Sequence, residues 1–360
     1  MKKLMIIFLL LTTACVPTKI VDELMLIHAT GFDYIDEKNM RATISVPVYH
    51  QGSGHSAGEQ SVTSETITGV GHTAKDIRSE MDSKSPRLIE NSKLAVVLFD
   101  HETANNGIID TVDTFYRDPT VGQRVYLTVY EGQTRELLEQ NLSLQPEISR
   151  YLTELIEQNI KNHELPKSNM HVFLYRYFQK GMDPFLPYLK KSDGQVQVDG
   201  LAIFKKDKMC TILSREDSFI FKMLVESFQE GTFEISLKDE EYATIMNLST
   251  RAKYSLQKDS DSPKITINLF TKGYVNEYSG ETLDQKKLDA INEILEEELT
   301  KKISTMIETF QELNVDPIGL GFQVKTRTRG WDEKEWTRQY PDVPVDVNVT
   351  TKITHGGVSE

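Results

Sequence analysis

Two cysteines, one of them at the end of an apolar leader, constrain this chain more than any other feature. Lys2 and Lys3 precede an unbroken apolar run over 4–11, and Thr12, Thr13 and Ala14 set small residues directly before Cys15. That order is the layout of a secretory signal over 1–14 with a small-residue cleavage site. A bilayer takes about 20 apolar residues to span, so the run predicts a removable leader and not a permanent anchor. A cysteine at the cleavage point is similar to a bacterial lipobox, with Leu11 one place earlier than the usual leucine and Thr12 in its position. Cys15 is therefore the candidate lipidation site. A diacylglyceryl thioether there supplies two acyl chains, enough for stable anchoring. With that thiol consumed only Cys210 remains. No intramolecular disulfide can form, and an exported chain must then be held by its core alone.

The core can be large. The chain has 360 residues, 39% hydrophobic and 26% charged, which suits two or three soluble globular domains. No segment after the leader approaches a membrane span. The formal net charge of −13 argues against nucleic acid and against broad adhesion to anionic lipid.

The alternation of helical and strand periods predicts α+β or α/β layers. Residues 41–49 alternate as a strand, with Pro47 favouring an edge, and the Gly/Ser/Thr-rich stretch 51–71 reads as a mobile loop. A short helix is expected over 73–81, a buried strand over 93–99, a helix over 106–116, a strand over 124–130, helices over 134–140 and 146–162, and a strand over 170–178. A Pro/Gly/Lys-rich break over 181–194 suggests a domain boundary. Beyond it, 196–204 and 209–213 read as a hairpin and 217–228 as a helix. Strands follow over 233–237, 242–254 and 264–278. The longest helical stripe runs over 283–313 and ends at Asp316-Pro317, and 343–353 alternates as a last strand. These patterns divide the chain into a signal peptide (1–14), an N-terminal α+β domain (15–183), a small middle domain of hairpin plus helix (194–232) and a C-terminal α+β domain with the long helix (233–357).

Few residues suggest chemistry. Gly54-His55-Ser56-Ala57-Gly58 fits the nucleophile elbow of a serine esterase, which needs a buried strand before the serine and a helix after it. The polar, β-branched stretch that follows has no helical stripe, so a loop is the better reading. Gly69-Val-Gly-His-Thr-Ala74 resembles a dinucleotide fingerprint but lacks the buried strand that should precede it. The eight histidines form no zinc-ligand spacing. Glu296-Glu-Glu298 reads as a solvated helix face. Trp331 and Trp336 suit anchoring of their segment onto the long helix better than an exposed patch. No catalytic residues, cofactor or metal site are expected, and binding or assembly is favoured over catalysis.

The chain resembles the Ger(x)C family, the lipoprotein C subunits of spore germinant receptors. Residues 24–33 (LMLIHATGFD) match the segment that leads to the family's Gly-hydrophobic-Asp. Residues 107–118 resemble its G-I-x-x-x-x-D-x-x-x-R-D element, and 198–208 its G-x-A-x-F-K-x-D-K hairpin. Asp316-Pro-Ile-Gly-Leu-Gly321 is similar to its D-x-x-G-x-G, and Trp336 with Tyr340-Pro341 to its W-x-x-x-[FY]-P. Where family members often begin Cys-Trp-Asp, Cys15 is followed by Val16-Pro17. The resemblance implies three α+β domains with mixed and antiparallel sheets and packed helices, and no enzymatic activity. It also implies attachment to the outer face of the spore inner membrane beside two membrane subunits, A and B, and a part in nutrient-triggered germination. The motif residues themselves suit turns and helix stops, and fold maintenance is the expected role. Two alternatives from other classes are a lipid-anchored serine esterase using Ser56 and a small-molecule-binding lipoprotein.

Overall fold

The computed structural model describes residues 23–51, 60–140, 147–162, 164–237, 241–258 and 263–355. Cys15, the leader and the Gly54-His55-Ser56-Ala57-Gly58 motif lie outside the described residues. The first part of the chain runs through β1 (Leu24–Leu26), β2 (Ala29–Tyr34), β3 (Met40–Gln51), β4 (Gln60–Gly71), α1 (Ala74–Lys84), β5 (Leu88–Glu90), β6 (Val96–Asp100), α2 (His101–Asn106) and α3 (Ile109–Arg117). It continues with β7 (Tyr126–Tyr130), α4 (Thr134–Leu138), α5 (Ile148–Lys161), α6 (Met170–Phe178), β8 (Phe185–Ser192), β9 (Gln195–Lys205), β10 (Lys208–Ser214) and α7 (Arg215–Val225).

Eight of these strands form one mixed sheet in the order β10-β9-β8-β7-β6-β2-β3-β4. Its centre, β2-β6-β7-β8, is parallel, and its two flanks are antiparallel. A parallel centre needs cover on both faces. The β6 sequence, Val96-Val-Leu-Phe-Asp100, is buried at every position. Val97 and Phe99 pack under α1, α2, α3 and α6, while Val96 and Leu98 pack under α4, α5 and α7. β1 and β5 pair separately as a small parallel sheet.

The rest of the chain comprises β11 (Phe228–Ser236), β12 (Tyr242–Lys258), β13 (Pro263–Tyr278), α8 (Gln285–Glu312), α9 (Leu320–Arg327), α10 (Glu333–Gln339), a 3₁₀ turn (Tyr340–Asp342) and β14 (Val345–His355). The four strands form a second sheet in the order β11-β12-β13-β14. α8 lies on one face of it and buries Leu288, Ile291, Leu295, Leu299, Ile303, Met306, Ile307 and Phe310. This is the stripe expected from the sequence, except that Leu313 caps the helix and is 40% exposed. The two sheets share one core through α7, which is buried without interruption from Ser218 to Leu224. Its Phe221 meets Phe185 of β8 at 5.1 Å between ring centroids and Phe310 of α8 at 6.2 Å. The class is α+β with mixed sheets, as expected.

Several elements differ from the sequence reading. Residues 170–178 form helix α6 and not a strand. Their aromatic content favours β, but Asn169 caps the helix by accepting from Val172 N–H at 2.9 Å, and Met170, Phe173 and Leu174 bury one helical face. Residues 60–71, expected within a mobile loop, are strand β4, paired with β3 from Gln51↔Gln60 to Met40↔Gly71. An edge strand exposes much of its surface to water, so a polar sequence can fill it. The helix expected over 106–116 starts at Ile109, because Gly107 at φ +119° ends a separate short helix, His101–Asn106. The expected limits at 183, 194 and 232 do not coincide with sheet limits. The hairpin β9-β10 is hydrogen-bonded to β8 and extends the first sheet, where Leu201, Ala202, Ile203 and Phe204 of β9 are buried on both faces.

Candidate functional site: the junction between the two sheets

The Gly-hydrophobic-Asp segment shows how the motif residues work. Asp33 is 1% exposed and accepts from Thr134 N–H at 2.6 Å and Arg135 N–H at 3.1 Å. It thus caps α4 from a strand a hundred residues earlier, satisfying N–H groups that no helix can satisfy itself. In the next element, Ile108 N–H donates to Asp207 O at 3.1 Å, which ties it to the β9-β10 hairpin.

The last three motif elements meet where the sheets join. Two Asp-Pro pairs face each other there. Asp316 N–H donates to Asp183 Oδ2 at 2.8 Å, and Asp183 N–H donates to Asp316 O at 2.9 Å. The Asp316 carboxylate accepts three amides at the start of α9, from Gly319 and Leu320 at 2.8 Å and Gly321 at 2.7 Å. Asp183 Oδ1 also accepts from Lys206 N–H in the hairpin turn at 3.1 Å. Arg176 of α6 donates from Nε to Asp183 O at 3.0 Å and from Nη2 to Pro317 O, with its guanidinium 4.7 Å above the Phe185 ring.

Close backbone contact completes the junction. Gly181 has φ +83°, and a Cβ there would lie 2.6 Å from the Gly321 carbonyl carbon. Phe322 N–H donates to Gly181 O at 2.7 Å. Trp336 covers Gly321 and packs at a tilt against Tyr340, 5.4 Å between ring centroids. Gln311 of α8 donates to Tyr340 O at 2.9 Å and Val343 O at 2.8 Å, so the Trp336 segment is anchored on the long helix. Lys180 and Lys206 both reach Glu333, at 3.4 and 3.3 Å. Burial pushes the Asp316 carboxyl up to about 7 against the pull of its three amides, and burial lowers Arg176 to about 10. Asp316 and Arg176 are both engaged by the fold, while burial raises the pKa of the Tyr340 hydroxyl, which has no hydrogen-bond partner. The arrangement locks the two sheets together.

The other sequence candidates fall elsewhere. Ser56 lies outside the described residues, but β3 and β4 on either side of it are antiparallel neighbours, so no helix follows the motif. At Gly69–Thr73, His72 N–H donates to Asp76 and Thr73 caps α1. Glu296 is not simply solvated, because it accepts from Thr351 N–H of β14 at 2.7 Å. No group of three or more metal-capable side chains occurs among the described residues. Arg176 and Asp183 carried one readable sign, the second Asp-Pro dipeptide, Asp183-Pro184.

The outer face of the second sheet differs in character. Around Phe270, 44% exposed, stand Arg251, Lys253, Lys272 and Lys352. Lys253 lies 5.6 Å over the Phe270 ring, Arg251 is its cross-strand neighbour, and Lys272 and Lys352 are directly opposed on β13 and β14. Among the described residues none of the four cations has a carboxylate in ion-pair range. Opposed like charges disfavour pairing, so this face works against sheet stability.

Residues 17–191 match the family model described as the spore germination protein N-terminal domain, and residues 199–357 match that described as spore germination B3/GerAC-like, C-terminal. Spore germination protein GerQC of Bacillus cereus is 31% identical over 362 residues, covering 99% of this chain and 99% of its own. The putative spore germination protein YfkR of Bacillus subtilis strain 168 is 23% identical over 375 residues, covering 97% and 94%. The crystal structure of the GerBC protein shares the fold, with a TM-score of 0.59 at 18% identity over 91% of this chain and 98% of that one.

Proposed function

This chain belongs to the Ger(x)C family of spore germination proteins, and from that premise we propose that it is the C subunit of a spore germinant receptor. In this reading Cys15 carries the lipid that holds the protein on the outer face of the spore inner membrane. The protein acts there through contacts with the A and B membrane subunits and not through catalysis. The observation that carries the proposal is the extent of the likeness to GerQC, which spans 99% of both chains.

The geometry supports contact as the mode of action. The perturbed charges at the junction are committed to holding the sheets together, whereas Arg251, Lys253, Lys272 and Lys352 are left on an open face. That face suits a carboxylate-rich segment of a partner subunit, which would relieve the opposed lysines. The esterase alternative lacks the strand–turn–helix context it needs, because Gly54–Gly58 connects two antiparallel strands.

The test is a Cys15→Ala protein. It is expected to leave the membrane fraction in cells that lack the A and B subunits, and spores carrying it are expected to lose the germinant response. Membrane retention without those subunits would refute the anchoring role. Failure of the wild-type protein to co-purify with any integral membrane partner would refute the receptor role.

A further inference from the structure

A groove of about 770 Å³ crosses the open face of the second sheet. Its rims are two rows of side chains that run across the strands. Register partners Ser249, Lys272 and Lys352 on β12, β13 and β14 form one rim, and Arg251, Phe270 and Thr350 form the other. The row between them, Thr250, Thr271 and Thr351, belongs to the covered face, where Thr351 donates to Asn292 of α8 at 2.7 Å. Backbone therefore floors the groove. Side chains two residues apart on a strand stand about 7 Å from each other, so the rims are spaced for one extended segment to lie between them.

Half of the rim residues are cations, and among the described residues none of them has a carboxylate in ion-pair range. Phe270 stands between Arg251 and Thr350, half-exposed, with Lys253 5.6 Å over its ring. An exposed ring bordered by cations favours an apolar side chain with carboxylates beside it. The other end of the same face has the opposite sign. Glu234 and Glu277 are exposed there, on either side of Thr244. A flat anionic surface such as a bilayer would press on that end as well, and the net charge of −13 would oppose it. A short segment meets the basic half alone.

We propose that this groove seats an extended acidic segment of a membrane partner subunit. One apolar or aromatic side chain of that segment packs on Phe270, a carboxylate on one side of it meets Lys272 and Lys352, and a carboxylate on the other side meets Arg251. The identity of the partner rests on the receptor reading, whereas the chemistry of the segment rests on the groove alone. The test uses the purified full chain and a fluorescein-labelled Asp-Glu-Phe-Glu-Asp peptide capped at both ends, followed by fluorescence anisotropy. Saturable binding is expected, weakening as salt is raised. Phe270→Ser is expected to weaken it about three- to tenfold, and Lys272→Ala combined with Lys352→Ala about tenfold. Glu234→Gln is expected to leave it unchanged. A peptide with Gly in place of Phe is expected to bind more weakly and to ignore Phe270→Ser. The proposal is overturned if the wild type shows no saturable binding, or if Phe270→Ser weakens both peptides equally. It is also overturned if phosphatidylglycerol vesicles bind through the rim lysines and the peptide does not. Co-purification from spores separates the groove from the receptor role. If Phe270→Ser combined with Lys352→Glu leaves the membrane partners attached, the groove falls and the receptor role stands. If the wild type binds the peptide but brings down no membrane partner, the receptor role falls and the groove keeps its acidic ligand.

Discussion

The two sheets treat charge in opposite ways. The first is covered on both faces, and the charges near its join to the second sheet are buried and saturated: Asp316 takes three amides, and Asp183 and Arg176 bridge three segments. The second sheet is covered on one face by α8 and leaves Arg251, Lys253, Lys272 and Lys352 on the other without carboxylate partners among the described residues. Where burial makes an unpaired charge costly, the fold supplies partners for it. Where water solvates the charge, like charges can stand opposed at little cost. The first arrangement fixes the relative placement of the sheets. The second is available to an outside partner.

This contrast is most directly broken at Asp316. Asp316→Ala leaves three amides without their acceptor and removes the carboxylate that faces the Arg176 charge, and is expected to lower unfolding stability by about 3–5 kcal/mol, measured by chemical denaturation. A smaller loss, near that of an ordinary surface substitution, would mean that the junction is not the lock described.

The next effect is a pH dependence. The folded carboxyl of Asp316 is raised from 3.8 to about 7, so the folded state holds this proton more tightly than the unfolded state does. Its contribution to stability is then greatest below about pH 4, falls between about 4 and 7, and is level above. Asp316→Asn cannot ionise. The stability of the wild type relative to this variant is expected to fall across that window by an amount on the order of a few kcal/mol. Denaturation at several pH values gives the difference directly, and a flat difference would remove the titration from Asp316.

The smallest effect on stability belongs to the open face. Lys272→Glu, which turns an opposed like pair into an opposite one, is expected to change stability by no more than about 0.5 kcal/mol, in the stabilising direction. The same substitution is expected to weaken association with the partner subunits. If thermal unfolding is unchanged and co-purification is also unchanged, the open face is not the contact surface.

Legibility in the sequence followed the range of the interaction. The α8 stripe was readable because its 3.6-residue period is local. The β9-β10 hairpin was readable for the same reason, with its turn at Lys205–Lys208 in place. α6 is not legible as a helix because its aromatic content favours a strand, and only the buried face of Met170, Phe173 and Leu174 decides otherwise. The strand β4 was missed because an edge strand carries few apolar residues. At the junction, Asp316, Gly321, Trp336 and Tyr340 were recognisable as motif members, but Arg176 and Asp183 were not. The overall charge of −13 argues against nucleic acid and anionic lipid and conceals the basic face, whose cations come from three strands spread over about a hundred residues.

By itself, the sequence settled the family, the α+β class, and most helices and strands. The family rests on motif elements that recur in a fixed order, and the rest on periodicity within one segment. Tertiary structure alone decided that the hairpin extends the first sheet, that Asp33 caps a helix distant in sequence, and that two Asp-Pro pairs interlock. Those features depend on which distant segments share a face. Backbone hydrogen bonding and close packing select that outcome only when the whole chain is folded.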